Sequence, residues 1–79
     1  MLKIKDNVDL KELEKYGFDS DENDYFYDFI PYEYNNGQYI LIRKDTRDLY
    51  FDYFDIEYID EAINILYDLI KADLVEKVD

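Results

Sequence analysis

Residues 19 to 29, DSDENDYFYDF, set four carboxylates into six positions and follow them with aromatics and a fifth acid, with no basic residue among them. Carboxylates at this density can coordinate a hard cation, exchange protons as a pair, or present negative charge to a cationic surface. The cation reading has a spacing to meet. Asp19, Asp21 and Asn23 fall at positions one, three and five of a calcium loop, but Asp24 occupies position six, where the turn needs glycine. Ile30 stands at position twelve, where a bidentate glutamate closes the coordination shell. Two defining positions fail, and no specific metal site is expected.

Proton-transfer chemistry meets a second set of obstacles. Paired acids can cleave a glycosidic bond, but they need a cleft and one raised pKa, and 79 residues leave little room for either. The chain has no histidine, the commonest general base, and no cysteine. Its only glycines, Gly17 and Gly37, cannot form a phosphate-binding loop, and no nucleophile motif has a base beside it. The expectation is a protein that is not an enzyme and uses no cofactor.

Electrostatic presentation is what remains, and the charge distribution favours it. The formal net charge is −12, from 21 acids and 9 bases, beyond the magnitude of about 2–8 that keeps a small domain soluble. Such a field repels nucleic acid and anionic membrane and attracts basic surfaces. The acids are also segregated along the chain. Asp19, Asp21, Glu22, Asp24, Asp28 and Glu33 lie in a stretch without lysine or arginine, and so do Asp48, Asp52, Asp55, Glu57, Asp60, Glu61 and Asp68. Interspersed signs would limit self-repulsion, so the segregation suggests a use.

The elements that position these groups follow from periodicity. Leu10, Leu13 and Tyr16, with Asp9 as N-cap and Gly17 as stop, predict a short helix over 9–16. Leu2, Ile4 and Val8 precede it as an extended piece. From Tyr25 to Phe54 the chain is rich in aromatic and β-branched residues and punctuated by turns, with Asn36-Gly37 the strongest hairpin signal. Three antiparallel strands are expected at about 25–34, 39–44 and 48–54, the first at an edge or bulged because Pro31 lacks an amide hydrogen. Ile59, Ala62, Ile63, Leu66, Leu69 and Ile70 recur at helical spacing and predict an amphipathic helix from 56–60 to about 72. LVEKV either extends that helix or turns back as a short strand. The predicted architecture is a single α+β domain over 1–79: a three-stranded meander covered by the C-terminal helix and a short N-terminal one, in the order α-β-β-β-α.

Ten tyrosines and five phenylalanines argue against a disordered acidic linker. About half of them suffice for a small core, so some must point outward among the acids, where tyrosine suits a recognition face. The predicted contact residues are Asp19, Asp21, Glu22, Asp24 and Asp28 as one patch and Asp48, Asp52, Asp55 and Glu57 as another. Tyr25, Tyr27, Tyr50 and Tyr53 are the candidate aromatic contacts, a set that a one-residue register slip would exchange. Carboxylates two apart on a strand stand about 6.6 Å apart, and rows of them can imitate phosphates to a protein built to neutralise nucleic acid.

A small, acidic, tyrosine-rich chain without cysteine, with Asn, Ile, Lys and Asp favoured throughout and closing on LYDLIKADLVEKV, resembles accessory proteins of bacteriophages and mobile elements. Within that group it is similar to anti-CRISPR and anti-restriction inhibitors, some of which act as DNA mimics. The resemblance is one of size, composition and tail, and it assigns no residue a role. It implies an inhibitor that occupies the basic groove of a CRISPR effector, restriction enzyme, nuclease or polymerase, without binding nucleic acid or membrane itself. The competing class is an interaction module without mimicry, such as a phage regulator or a homodimer joined through a sheet edge or aromatic face. The absence of cysteine, of a leader-like run in MLKIKDNVDL and of a membrane-length apolar stretch places the expectation in the cytoplasm of a bacterial or phage-infected cell.

Overall fold

The computed structural model describes residues 1–30, 38–52 and 56–78, with side chains for all of these except 30, 38, 52 and 56–58. The elements run β1 (Leu2–Ile4), a 3₁₀ helix (Leu10–Tyr16), β2 (Asp19–Ser20), β3 (Asp24–Ile30), β4 (Gln38–Arg43), β5 (Leu49–Asp52), α1 (Ile56–Lys71) and β6 (Val75–Lys77). They build two sheets: β2-β3-β4-β5, antiparallel throughout, and a separate antiparallel pair, β1-β6.

This corrects the expected three-stranded meander under two helices. Asp19–Ser20 adds a fourth strand, the chain ends form their own ribbon, and the N-terminal helix is 3₁₀ rather than α. A two-residue strand is too short to show alternation, and a pairing such as Leu2 with Lys77 has no local sequence signal. The expected hairpin at Asn36-Gly37, Pro31, and the strand residues 31–34 and 53–54 lie outside the described residues.

Helix ends explain the chain reversals. Asp9 caps the 3₁₀ helix by accepting from the Lys11 amide at 3.0 Å. At its other end Gly17 adopts φ 91°, and Phe18 N–H donates back to Leu13 O while Gly17 N–H donates to Glu14 O, a Schellman closure. The end of α1 repeats that geometry with Asp73 at φ 63°, Leu74 N–H reaching Leu69 O and Asp73 N–H reaching Ile70 O. Lys5 holds Asp73 at 2.6 Å. The reversal at Asp73 sends LVEKV back as β6 rather than onward as helix.

One core lies between α1 and one face of the larger sheet. It gathers Ile4, Leu13, Phe18, Tyr25, Ile40, Ile42, Leu49, Ile65 and Leu69. Register pairs Tyr25 with Ile42 and Tyr27 with Ile40, so both tyrosines point to this inner face. The ribbon docks at the start of β5, where Ile4 N–H donates to Arg47 O at 2.9 Å. The Arg47 guanidinium donates to Lys5 O and Val8 O, each at 2.7 Å. Among the described residues no helix is long and apolar enough to cross a membrane.

Candidate functional site: the outer face of the four-stranded sheet

Alternation assigns the outer face by parity. Because Tyr25 and Tyr27 point inward, Asp24, Phe26 and Asp28 point outward. Cross-strand pairing then aligns Asp19 with Phe26, Phe26 with Leu41 and Leu41 with Tyr50 in one row over all four strands. A second row pairs Asp28 with Tyr39 and Tyr39 with Asp52, and a third sets Asp24 opposite Arg43. The register shift between Asp28 and Ile30 places a bulge in β3 beside the second row.

The surface has an apolar middle and an acidic side. A shallow groove of about 320 Å³ is lined by Asp21, Asp24, Phe26, Asp28, Tyr39 and Leu41. A neighbouring one of about 330 Å³ shares Leu41 and continues over Arg43, Tyr50 and Phe51. Asp24 and Asp28 stand about 13 Å apart along β3 at 3.3 Å per residue, with Phe26 between them.

The acids of this face have unequal surroundings. Asp21 closes the β2–β3 turn: its carboxylate accepts from the amides of Asn23 at 2.9 Å and Asp24 at 2.8 Å, which hold it below the usual carboxylate range. Lys44 reaches back to Asp21 O and lies 5.1 Å from the centre of the Tyr25 ring. Arg43 stands across from Asp24 but directs its guanidinium to Asp45, and one Asp24 carboxylate oxygen is buried without a hydrogen-bond partner among the described residues. Asp28 is different. Partial loss of solvation and, second, the charge of Asp19 push its carboxyl above the usual range. Among the described residues no lysine or arginine forms an ion pair with Asp19 or Asp28; Lys3, Lys5, Lys15 and Arg43 pair with Asp6, Asp73, Glu12 and Asp45.

The predicted contacts are therefore divided. Asp19, Asp24, Asp28 and Tyr50 come together on the outer face, and Asp21 and exposed Glu22 lie at the β2–β3 turn beside it. Asp48 is half-buried before β5, its backbone in an isolated antiparallel β-bridge with that of Lys3 and its carboxylate accepting from the Tyr50 hydroxyl at 3.4 Å. Asp52 ends β5 on the outer-face register, and Glu57 lies in the first turn of α1, away from this row. Asp55 and Tyr53 lie outside the described residues.

Tyr25 and Tyr27 do not belong to the site. Tyr25 is 6% exposed in the core. Tyr27 stacks edge-on against Phe18, packs on Phe29 and donates its hydroxyl to Glu61 at 3.4 Å. Burial raises the pKa of both phenols, with nearby carboxylates adding to it. The aromatic that sequence reasoning missed is Phe26, and the aliphatic is Leu41. Taking Tyr25 as inward by pairing it with the Ile40/Ile42 parity would have found both.

Among the described residues no group of three or more His, Cys, Asp or Glu side chains is placed to hold a metal ion. No protein-family model, curated protein or solved structure matches this chain.

Proposed function

We propose that this chain is a non-catalytic binding protein that seats the outer face of its four-stranded sheet on a basic, nucleic-acid-handling protein and blocks that partner's groove. The observation that carries the reading is the row Asp19-Phe26-Leu41-Tyr50 with Asp28 beside it: a half-exposed apolar band flanked by two carboxylates that form no ion pair with a lysine or arginine among the described residues. Mutual repulsion and lost solvation at Asp28 would be relieved by an arginine or lysine from a partner. Arginine suits the place best, because its fork can engage a carboxylate while its plane stacks on Phe26 or Tyr50. A groove that neutralises phosphates offers such residues in quantity. The resemblance to anti-CRISPR and anti-restriction inhibitors agrees with this partner class.

The test is capture from a bacterial lysate on the immobilised chain, with elution by duplex DNA and separately by a salt gradient. A parallel column carries Asp19→Asn with Asp28→Asn. A basic nucleic-acid-binding protein released by DNA and lost from the second column is the expected result. Equal capture on both columns, or a partner that DNA does not displace, would refute mimicry and leave an interaction module that works through the apolar band.

A further inference from the structure

The sequence predicts one apolar stripe on α1 facing the core, and the fold buries only part of it. Ala62, Ile65 and Leu69 are buried, whereas Ile59, Ile63 and Ile70 are 40%, 56% and 51% exposed. At 100° per residue these are two adjacent stripes, with half-buried Leu66 between them. Together they span about 160° of the helix circumference. A single sheet face covers one stripe, and the second lies open beside Tyr67, itself 61% exposed. Three exposed isoleucines on a helix are unfavourable twice over, since β-branching lowers helix propensity and the apolar surface meets water.

Spacing identifies what fits there. Ile59, Ile63, Leu66 and Ile70 follow a 4-3-4 pattern, the seam by which one helix packs against another. We infer that α1 pairs with α1 of a second copy of this chain, antiparallel about a two-fold axis, to give a homodimer. The flank of the seam selects both occupant and direction. Asp60, Tyr67 and Lys71 all lie on one side of the stripe. An antiparallel two-fold sets Ile59 against Ile70 and Ile63 against Leu66 of the other copy. It brings Asp60 to the Tyr67–Lys71 end of the second helix, where a carboxylate finds a hydroxyl and an ammonium. A parallel pair would put the Asp60–Lys71 flanks of the two helices on opposite edges of the seam, so that neither charge meets its complement, and would align the helix dipoles unfavourably. The two-fold arrangement is self-complementary, so association closes at two copies. It uses the side of the sheet opposite the Phe26 row and stands independently of the function proposed above.

Each copy carries a charge of −12, so long-range repulsion opposes the pairing and salt should strengthen it. Sedimentation equilibrium of the full chain over roughly 5–500 µM, in about 0.05 M and 0.5 M NaCl, tests this. The expected mass rises with concentration from 9.7 kDa toward twice that value, and rises further at high salt. Ile63→Glu, at an exposed position, should abolish the dimer while leaving the circular dichroism spectrum unchanged. Asp60→Lys should weaken it about tenfold, and adding Lys71→Asp should restore it. In a chain with no cysteine of its own, mixed Ile59→Cys and Ile70→Cys proteins should oxidise to the mixed pair in preference to either like pair. A monomer at every concentration and salt, or a dimer that Ile63→Glu leaves intact, overturns the inference. Preference for like cysteine pairs overturns the antiparallel direction.

Discussion

Replacing Leu69 and Ile63 by alanine, one at a time, asks directly which stripe of α1 holds the fold. Leu69 is fully buried, and Leu69→Ala removes three carbons at about 0.8 kcal/mol each, roughly 2.4 kcal/mol, before the cavity is counted. With the cavity the loss should reach about 3–4 kcal/mol. A chain of 79 residues holds about 4–12 kcal/mol in total, so this one change removes a large share of it. Ile63 already keeps more than half its surface in water, and alanine returns a few tenths of a kcal/mol in helix propensity. Ile63→Ala should therefore cost less than about 1 kcal/mol. Urea unfolding followed by far-ultraviolet circular dichroism reads both, at a few micromolar protein so that association does not contribute. With a slope near 1 kcal/mol/M, the Leu69→Ala midpoint should fall by about 3 M and the Ile63→Ala midpoint by less than about 1 M. Equal losses would mean that the helix seats a different face inward and that the exposed stripe is not exposed.

Three further outcomes follow from named contacts. Gly17→Ala should destabilise by about 1–2 kcal/mol in the same assay, because φ is 91° and the new Cβ would lie 2.9 Å from Tyr27 Cε2; a neutral result would show that Tyr27 swings away freely. Arg47→Met should cost about 2–3 kcal/mol and speed hydrogen exchange at the Ile4 amide, since it strips the donors from Lys5 O and Val8 O; unchanged exchange would show that the ribbon is held elsewhere. Asp28→Asn has a pH signature. The native state binds the Asp28 proton more tightly than the unfolded chain, so the wild type loses stability as pH rises from about 4 through the raised Asp28 value. The variant lacks that loss, so its melting temperature relative to wild type should climb over this window and then level off; a difference constant with pH would refute the assignment.

Which parts of this were legible depended on range in sequence. The Asp9 cap and the Gly17 stop are local, and each side chain or φ angle does in the fold what its type suggests. Strand parity was half legible: alternation separates Leu49 from Tyr50, and those two do face opposite sides. On β3, however, Tyr25, Phe26 and Tyr27 are all aromatic, so no composition contrast marks which of them is inside; only pairing with Ile40 and Ile42 decides it. The β1-β6 ribbon was invisible because its partners are more than seventy positions apart. The charge segregation was legible as sequence, but not its arrangement in space: Asp21 turns its carboxylate onto two turn amides, whereas Asp19 and Asp28 come to share the outer face.

The two proposed surfaces respond to the same field with opposite signs, which couples them. A basic partner on the Phe26 row draws on the negative potential, so added salt weakens it, whereas the α1 pairing works against that potential and gains from salt. Neutralising part of the −12 charge at the sheet lowers the repulsion that opposes the second copy. By linkage, whatever the partner adds to dimer affinity the dimer must return as affinity for the partner. The distance between the surfaces fixes the size of this effect. With a screening length of about 8 Å at physiological ionic strength and the thickness of the core between sheet and helix, the direct coupling is small there and grows as salt falls. A coupling that persisted undiminished in high salt could not be electrostatic; it would have to travel through the packing of Ile65 and Leu69 against Ile40 and Ile42, the contacts that join the two faces.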